Sequence, residues 1–144
     1  MITNRTEQPT VEEPAIAYEE FSTPSGQRAL LKLHDGTTVW LNARSTLRYP
    51  NHFGKNERKV ELDGEAFFEV KQNGKVPFVI STEKANIKVL GTKFNVFAYK
   101  GHEEFNTSLV EGSVKVYQGE SDADALDITP VSYTHLRAHE TRHD

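Results

Sequence analysis

Hydrophobic and polar residues alternate in short runs along the middle of the chain. Leu31 and Leu33 share one parity, and so do Val39 and Leu41 in the next run. Val60 and Leu62, then Ala66, Phe68 and Val70, continue the pattern. Ile87 and Val89, Phe94 and Val96, and Val114 and Val116 complete it. A period of two places each set on one face of a strand, and a sheet with one wet face reads this way. The runs RALLKLH, TTVWLN, RKVEL, EAFFEVK, PFVIST, NIKVL, KFNVFAY, FNTSLV and SVKVYQ predict about nine short strands, with no convincing helix between them.

Glycine-centred breaks separate these runs: Asp35-Gly36, Asp63-Gly64, Asn73-Gly74, Gly91 and Glu111-Gly112. Asp-Gly and Asn-Gly favour the type I′ turn, in which both central residues take positive φ. Gly36, Gly64, Gly74, Gly91 and Gly112 are therefore expected at turns or bulges. In particular, Gly64 is expected in a two-residue hairpin turn between Leu62 and Ala66. Without helical crossovers, a parallel α/β fold is disfavoured. The expected class is all-β, an antiparallel β-sandwich or jelly-roll-like wrap. A short β-solenoid would accept the same hairpins, and strand order stays open.

Composition sharpens the boundaries. All eight Phe lie between Phe21 and Phe105, and all nine Gly between Gly26 and Gly119. The predicted domain is 18–118, a length that can bury one adequate core. Residues 1–17 are polar and acidic, with Pro9 and Pro14, and read as a disordered lead or linker. Residues 119–130 read as an exit linker. Residues 131–144 resemble translated sequencing-adapter sequence and are expected to be a foreign tail outside the fold. The net charge of −4 comes with no basic stripe, so a nucleic-acid partner is not expected. The absence of cysteine removes disulfides and thiolate chemistry. No run approaches the length of a membrane span, and the N-terminus has neither a basic nor an apolar signal-peptide region.

The candidate chemistry is thin. His139-Glu140-Thr141-Arg142-His143 spells the H-E-x-x-H zinc motif, with His135 one turn upstream. Only Asp144 follows, so no fold remains to build a cleft or supply a distant ligand. His135, His139 and His143 are read as adventitious, with no metal or cofactor expected. His34-Asp35 could belong to a dyad, but Asp35 is explained as a turn residue, and no nucleophile elbow occurs. Glu65 and Glu69 share a strand face. Paired carboxylates can hydrolyse glycosides, yet a solvated pair is the simpler reading. Trp40, the only Trp, is expected to pack in the core or between sheets, with a partly exposed contact on the face opposite Val39 and Leu41 as the alternative. Asn42 and Asn95 are expected to cap backbone at strand ends or bulges. No catalytic residue and no small-molecule substrate are expected.

Four blocks in order resemble the FecR family. They are TPSGQRALLKLHDGTTVWLNARSTLRYP (23–50), RKVELDGEAFFEVKQNGKVPFVIST (58–82), VLGTKFNVFAY (89–99) and SLVEGSVKVY (108–117). The resemblance implies the periplasmic, non-catalytic signalling domain of a membrane-anchored anti-sigma factor. In such regulators a cytoplasmic segment holds the sigma factor and one membrane helix follows. The periplasmic part receives a signal from a TonB-dependent outer-membrane transporter for iron or glycan uptake. The cytoplasmic segment, the membrane helix and the C-terminal domain are not in this sequence, which reads as a fragment whose Met1 is an internal start. The rival expectation is a carbohydrate-binding β-sandwich module, for which several exposed aromatics should align on one face.

Overall fold

The computed structural model describes residues 16–119, together with the strand backbones of 126–128 and 133–137. These residues form twelve strands: β1 (Tyr18–Ser22), β2 (Ala29–Lys32), β3 (Thr38–Leu41), β4 (Thr46–Pro50), β5 (Arg58–Glu69), β6 (Phe78–Ser81), β7 (Asn86–Val89), β8 (Lys93–Ala98), β9 (Glu104–Glu111), β10 (Val114–Tyr117), β11 (Leu126–Ile128) and β12 (Tyr133–Arg137). The described residues contain no helix, and so none long and apolar enough to cross a membrane. The all-β expectation holds.

Two sheets share β5. The first runs β1-β4-β5-β6-β7-β10-β11 and the second β2-β3-β5-β8-β9-β12. The first half of β5 pairs with β4 and β6, and the second half, from Gly64 onward, pairs with β3 and β8. Phe68 and Phe94 of the second sheet stack at 5.3 Å, and Phe78 of the first meets Phe68 edge-on at 6.2 Å. All three are fully buried, with Leu41, Leu47, Ile80 and Ile87. The alternation seen in the sequence is the core, because one parity of each strand faces the opposite sheet.

Gly64 departs from expectation. It lies inside a single twelve-residue strand, not in a hairpin turn. The sequence carries the sign of this: Val60, Leu62, Ala66, Phe68 and Val70 keep one parity straight through Asp63-Gly64. The glycine is still required, since its φ is +130° and an added Cβ would stand 2.7 Å from Ser45 Cα. It is the point at which β5 passes from one sheet into the other.

Asn73-Gly74 likewise makes no hairpin. The β5–β6 pairing is parallel, Arg58 opposite Phe78, whereas all pairs were expected to be antiparallel. Asn73 Oδ1 accepts from the N–H groups of Lys75 and Val76, folding this connection as a local side-chain turn. Gly36 and Gly112 occupy the β2–β3 and β9–β10 turns. Gly91 lies between β7 and β8, where a Cβ would crowd Gln72. Two strands, β1 and β4, fall outside the nine sequence runs. Two more, β11 and β12, come from spans expected to stand outside the fold. Both lie at sheet edges and are held through main-chain pairing, which needs no apolar alternation.

Candidate functional site: the outer face of the second sheet

The outer face of the second sheet is ordered in rows set by strand register. One row runs Leu30, Trp40, Phe67, Asn95 and Ser108 across β2, β3, β5, β8 and β9. Trp40 stands opposite the parity of the buried Val39 and Leu41, so it points outward. It is 39% exposed, and Leu30 is 56% exposed. The expectation that Trp40 packs in the core is therefore corrected. Its ring leans on Phe67 at 5.6 Å and 56°, an arrangement of aromatic rings that fixes the indole while leaving a flank open.

Beside this row lies a polar clasp. Asn42 Nδ2 donates to Glu65 Oε1 and Asn95 Nδ2 donates to Glu65 Oε2, both at 2.8 Å. Asn42 Oδ1 also accepts from Ala43 N–H at 3.0 Å, which is a local cap as expected. Asn95 is not a cap. It sits inside β8 and ties that strand to β5 through the carboxylate. Glu69 is engaged separately by Lys93 Nζ at 3.4 Å, and Glu111 lies 3.5 Å from the same ammonium. The bond to Glu69, then the charge of Glu111, hold the Lys93 pKa above its usual value. Glu65 and Glu69 therefore share a face but serve different partners, which is not the arrangement of an acid–base pair.

Along the neighbouring row Phe97 meets the Tyr99 ring at 5.0 Å, and His102 stands 5.5 Å from Tyr99. The Tyr99 hydroxyl donates to Ala43 O at 2.7 Å. The Asn42–Glu65–Asn95 clasp thus separates two aromatic groups on this sheet face, Trp40 with Phe67 on one side and Phe97 with Tyr99 on the other.

The remaining sequence candidates do not assemble a reactive centre. His34 stacks on Phe53 at 5.5 Å. Asp35 accepts from Thr37 N–H and Thr37 Oγ1 and forms a 2.8 Å ion pair with Arg58. Among the described residues no group of three or more His, Asp or Glu could hold a metal. His139, Glu140 and His143 lie outside the described residues, and His135 is placed only by its backbone opposite Asn106. A recess of about 740 Å³ between β7 and β10 is lined by Gln72, Lys88, Leu90, Thr92, Ser113 and Lys115 among others, with no carboxylate or imidazole.

Arg58 was not anticipated from the sequence. Its side chain is buried, and its guanidinium donates to Val76 O, Lys71 O and Asp35 Oδ2 at 2.8 Å and to Leu90 O at 3.3 Å. It also lies over the Phe78 ring at 5.4 Å. The only sequence trace is a cation whose parity matches Val60 and Leu62.

A family model described as FecR protein matches residues 19–115. Two crystal structures of a candidate anti-sigma factor from Parabacteroides distasonis ATCC 8503, at 2.50 and 1.65 Å resolution, share the fold at 36% sequence identity. Their TM-scores are 0.81 and 0.80, and they cover 88% and 86% of this chain. The chain in turn spans 58% and 57% of their length. No curated protein matches the chain.

Proposed function

Because the chain belongs to the FecR protein family, we propose that it is the signal-receiving domain of an anti-sigma factor anchored in the inner membrane. In this reading the domain lies in the periplasm and contacts the signalling domain of a TonB-dependent outer-membrane transporter. A sigma factor is held by a separate cytoplasmic segment. Its role is regulatory and not catalytic.

The observation that carries the reading is the row Leu30–Trp40–Phe67 on the outer sheet face, with Leu30 and Trp40 exposed and the indole leaning on the half-buried Phe67. A rigid indole with an open flank, rimmed by hydrogen-bonded polar groups, has the make-up of a protein-interface anchor. The experiment is a pull-down of transporter signalling domain by this chain. Capture that Trp40→Ala reduces at least tenfold supports the reading, and equal capture by both proteins contradicts it.

One observation favours the rival, a glycan-binding module. Trp40 and Phe67 do align on one face, beside the amide and carboxylate groups of Asn42, Glu65 and Asn95. Against it, both carboxylate oxygens of Glu65 already accept hydrogen bonds from within the sheet. Glycan-array binding lost in Trp40→Ala would favour this alternative.

A further inference from the structure

The charges on the outer face of the second sheet fall into two groups. The acids are engaged within the sheet. Both carboxylate oxygens of Glu65 accept from Asn42 and Asn95, and Glu69 and Glu111 share Lys93. The cations beside β2 are not engaged. Lys32 lies on the same strand face as Leu30, two positions on, and Arg28 stands at the same spacing on the other side, directly before the strand begins. Both are exposed, and neither side chain forms an ion pair or hydrogen bond with another described residue. Leu30 is paired with Trp40, and Trp40 with Phe67. The two cations therefore bracket the exposed end of the apolar row.

We propose that this patch binds an acidic, extended segment of a protein partner. An apolar residue of the segment lies over Leu30 and the open flank of Trp40, with a carboxylate two positions to either side, one against Arg28 and one against Lys32. The spacing follows from the strand. Arg28 and Lys32 are four positions apart, roughly 13 Å along an extended chain. Carboxylates four positions apart on a second extended chain share one face and the same repeat. Apolar contact supplies the anchor, and the complementary charges set the register and exclude basic segments. A broad anionic surface such as a bilayer fits less well, because Glu65 and Glu69 on β5 and Glu111 on β9 lie on the same face and would meet it too. A single segment over β2 and β3 avoids them. The inference rests on reading this domain as a signal receiver, and it names the partner chemistry that the Trp40 face selects.

The test is an NMR titration of the whole, isotope-labelled chain, in which the indole N–H of Trp40, the only Trp, is a single reporter. The probe is the end-blocked peptide Thr-Glu-Thr-Leu-Thr-Glu-Thr, compared with the same peptide carrying Gln for both Glu. The acidic peptide should shift the Trp40 indole and the amides of residues 28–32. It should bind about fivefold tighter than the Gln peptide, and the preference should shrink as NaCl rises from about 20 to about 300 mM. The Arg28→Gln, Lys32→Gln double variant, changed only at exposed positions, should bind both peptides equally. Equal affinities of the two peptides for wild type, or shifts that leave the Trp40 indole unmoved, would overturn the proposal. Phosphatidylglycerol vesicles that move the Trp40 emission while the acidic peptide does not bind would assign the patch to a bilayer and also overturn it. The transporter pull-down reads Trp40 whatever the charge around it. Trp40-dependent capture beside equal peptide affinities would therefore overturn this chemistry alone and leave the proposed function standing.

Discussion

Arg58 and Lys71 are thirteen positions apart in sequence, yet Arg58 Nη1 lies 2.8 Å from the Lys71 carbonyl oxygen. A straight strand of that length would span roughly 43 Å. The start of β5 and the chain just past its end are therefore neighbours because the strand turns over at Gly64 and gives one half to each sheet. This closure also explains the parallel β5–β6 pair, since the chain leaving the second sheet is already beside Arg58. One guanidinium then ties the β2–β3 turn, the β5–β6 connection and Leu90 together.

Replacing Arg58 by Met should cost about 3–5 kcal/mol, because it strands Asp35 and three carbonyl oxygens beside a buried site. Arg58→Lys should recover only part, since one ammonium cannot reach four acceptors fixed around a planar fork. Urea unfolding measures both. A loss below about 1 kcal/mol for the Met variant would contradict the role given to this residue.

Gly64→Ala should destabilise by about 2–5 kcal/mol, combining positive-φ strain with the collision against Ser45. Ser45 cannot simply move, because its Oγ accepts from Glu65 N–H at 2.9 Å and its main-chain N–H donates to Thr23 Oγ1 at 3.0 Å. Adding Ser45→Gly to Gly64→Ala should restore part of the loss. Equal midpoints for wild type and Gly64→Ala would show that β5 can cross between sheets without the glycine.

The Trp40 face should behave oppositely. Trp40→Ala removes a side chain already 39% exposed, and it should cost no more than about 1.5 kcal/mol. Thermal melts together with the transporter pull-down separate the two roles. A large stability loss would make Trp40 a packing residue and not a contact residue.

Acid should loosen the turn after β8. Glu83 accepts from Gly101 N–H at 3.0 Å and from Lys84 Nζ at 3.3 Å. The Gly101 bond first, then Lys84, hold its carboxyl below the ordinary value of 4.5. A depressed folded pKa gives stability that is present above the unfolded value and lost as pH falls through the folded one. Glu83→Gln should therefore lose less Tm than wild type between pH 7 and pH 3. A carboxyl titration of Glu83 by NMR with a midpoint at or above 4.5 would contradict this.

Much of the fold is written in the alternation of residues such as Val39, Leu41, Phe68 and Phe94, because burial on one sheet face is a local period-two property. The misread points share a cause. Asp63-Gly64 and Asn73-Gly74 carry hairpin chemistry, but positive φ and side-chain turns also serve a strand crossing between sheets and a tight connection. Only the unbroken parity from Val60 to Val70 distinguishes the first case. The parity of Trp40, opposite to that of Val39 and Leu41, already offers the outward face, but a lone Trp between two apolar residues weighs toward packing by neighbourhood. The joining of Asn42, Glu65 and Asn95 depends on three strands lying in register, and single-chain spacing does not contain it. The same holds for Arg58, whose partners lie 13 to 32 positions away in sequence.

The central claim, that this domain passes a transporter's signal to a sigma factor, is tested most directly by a sigma-dependent reporter in cells carrying the full-length regulator. With the Leu30→Ser, Trp40→Ala double variant, regulator abundance should stay near wild type while the reporter stops responding to the transporter's ligand. An unaltered response, even when residues 18–118 are replaced by an unrelated β-sandwich of similar size, would contradict the account.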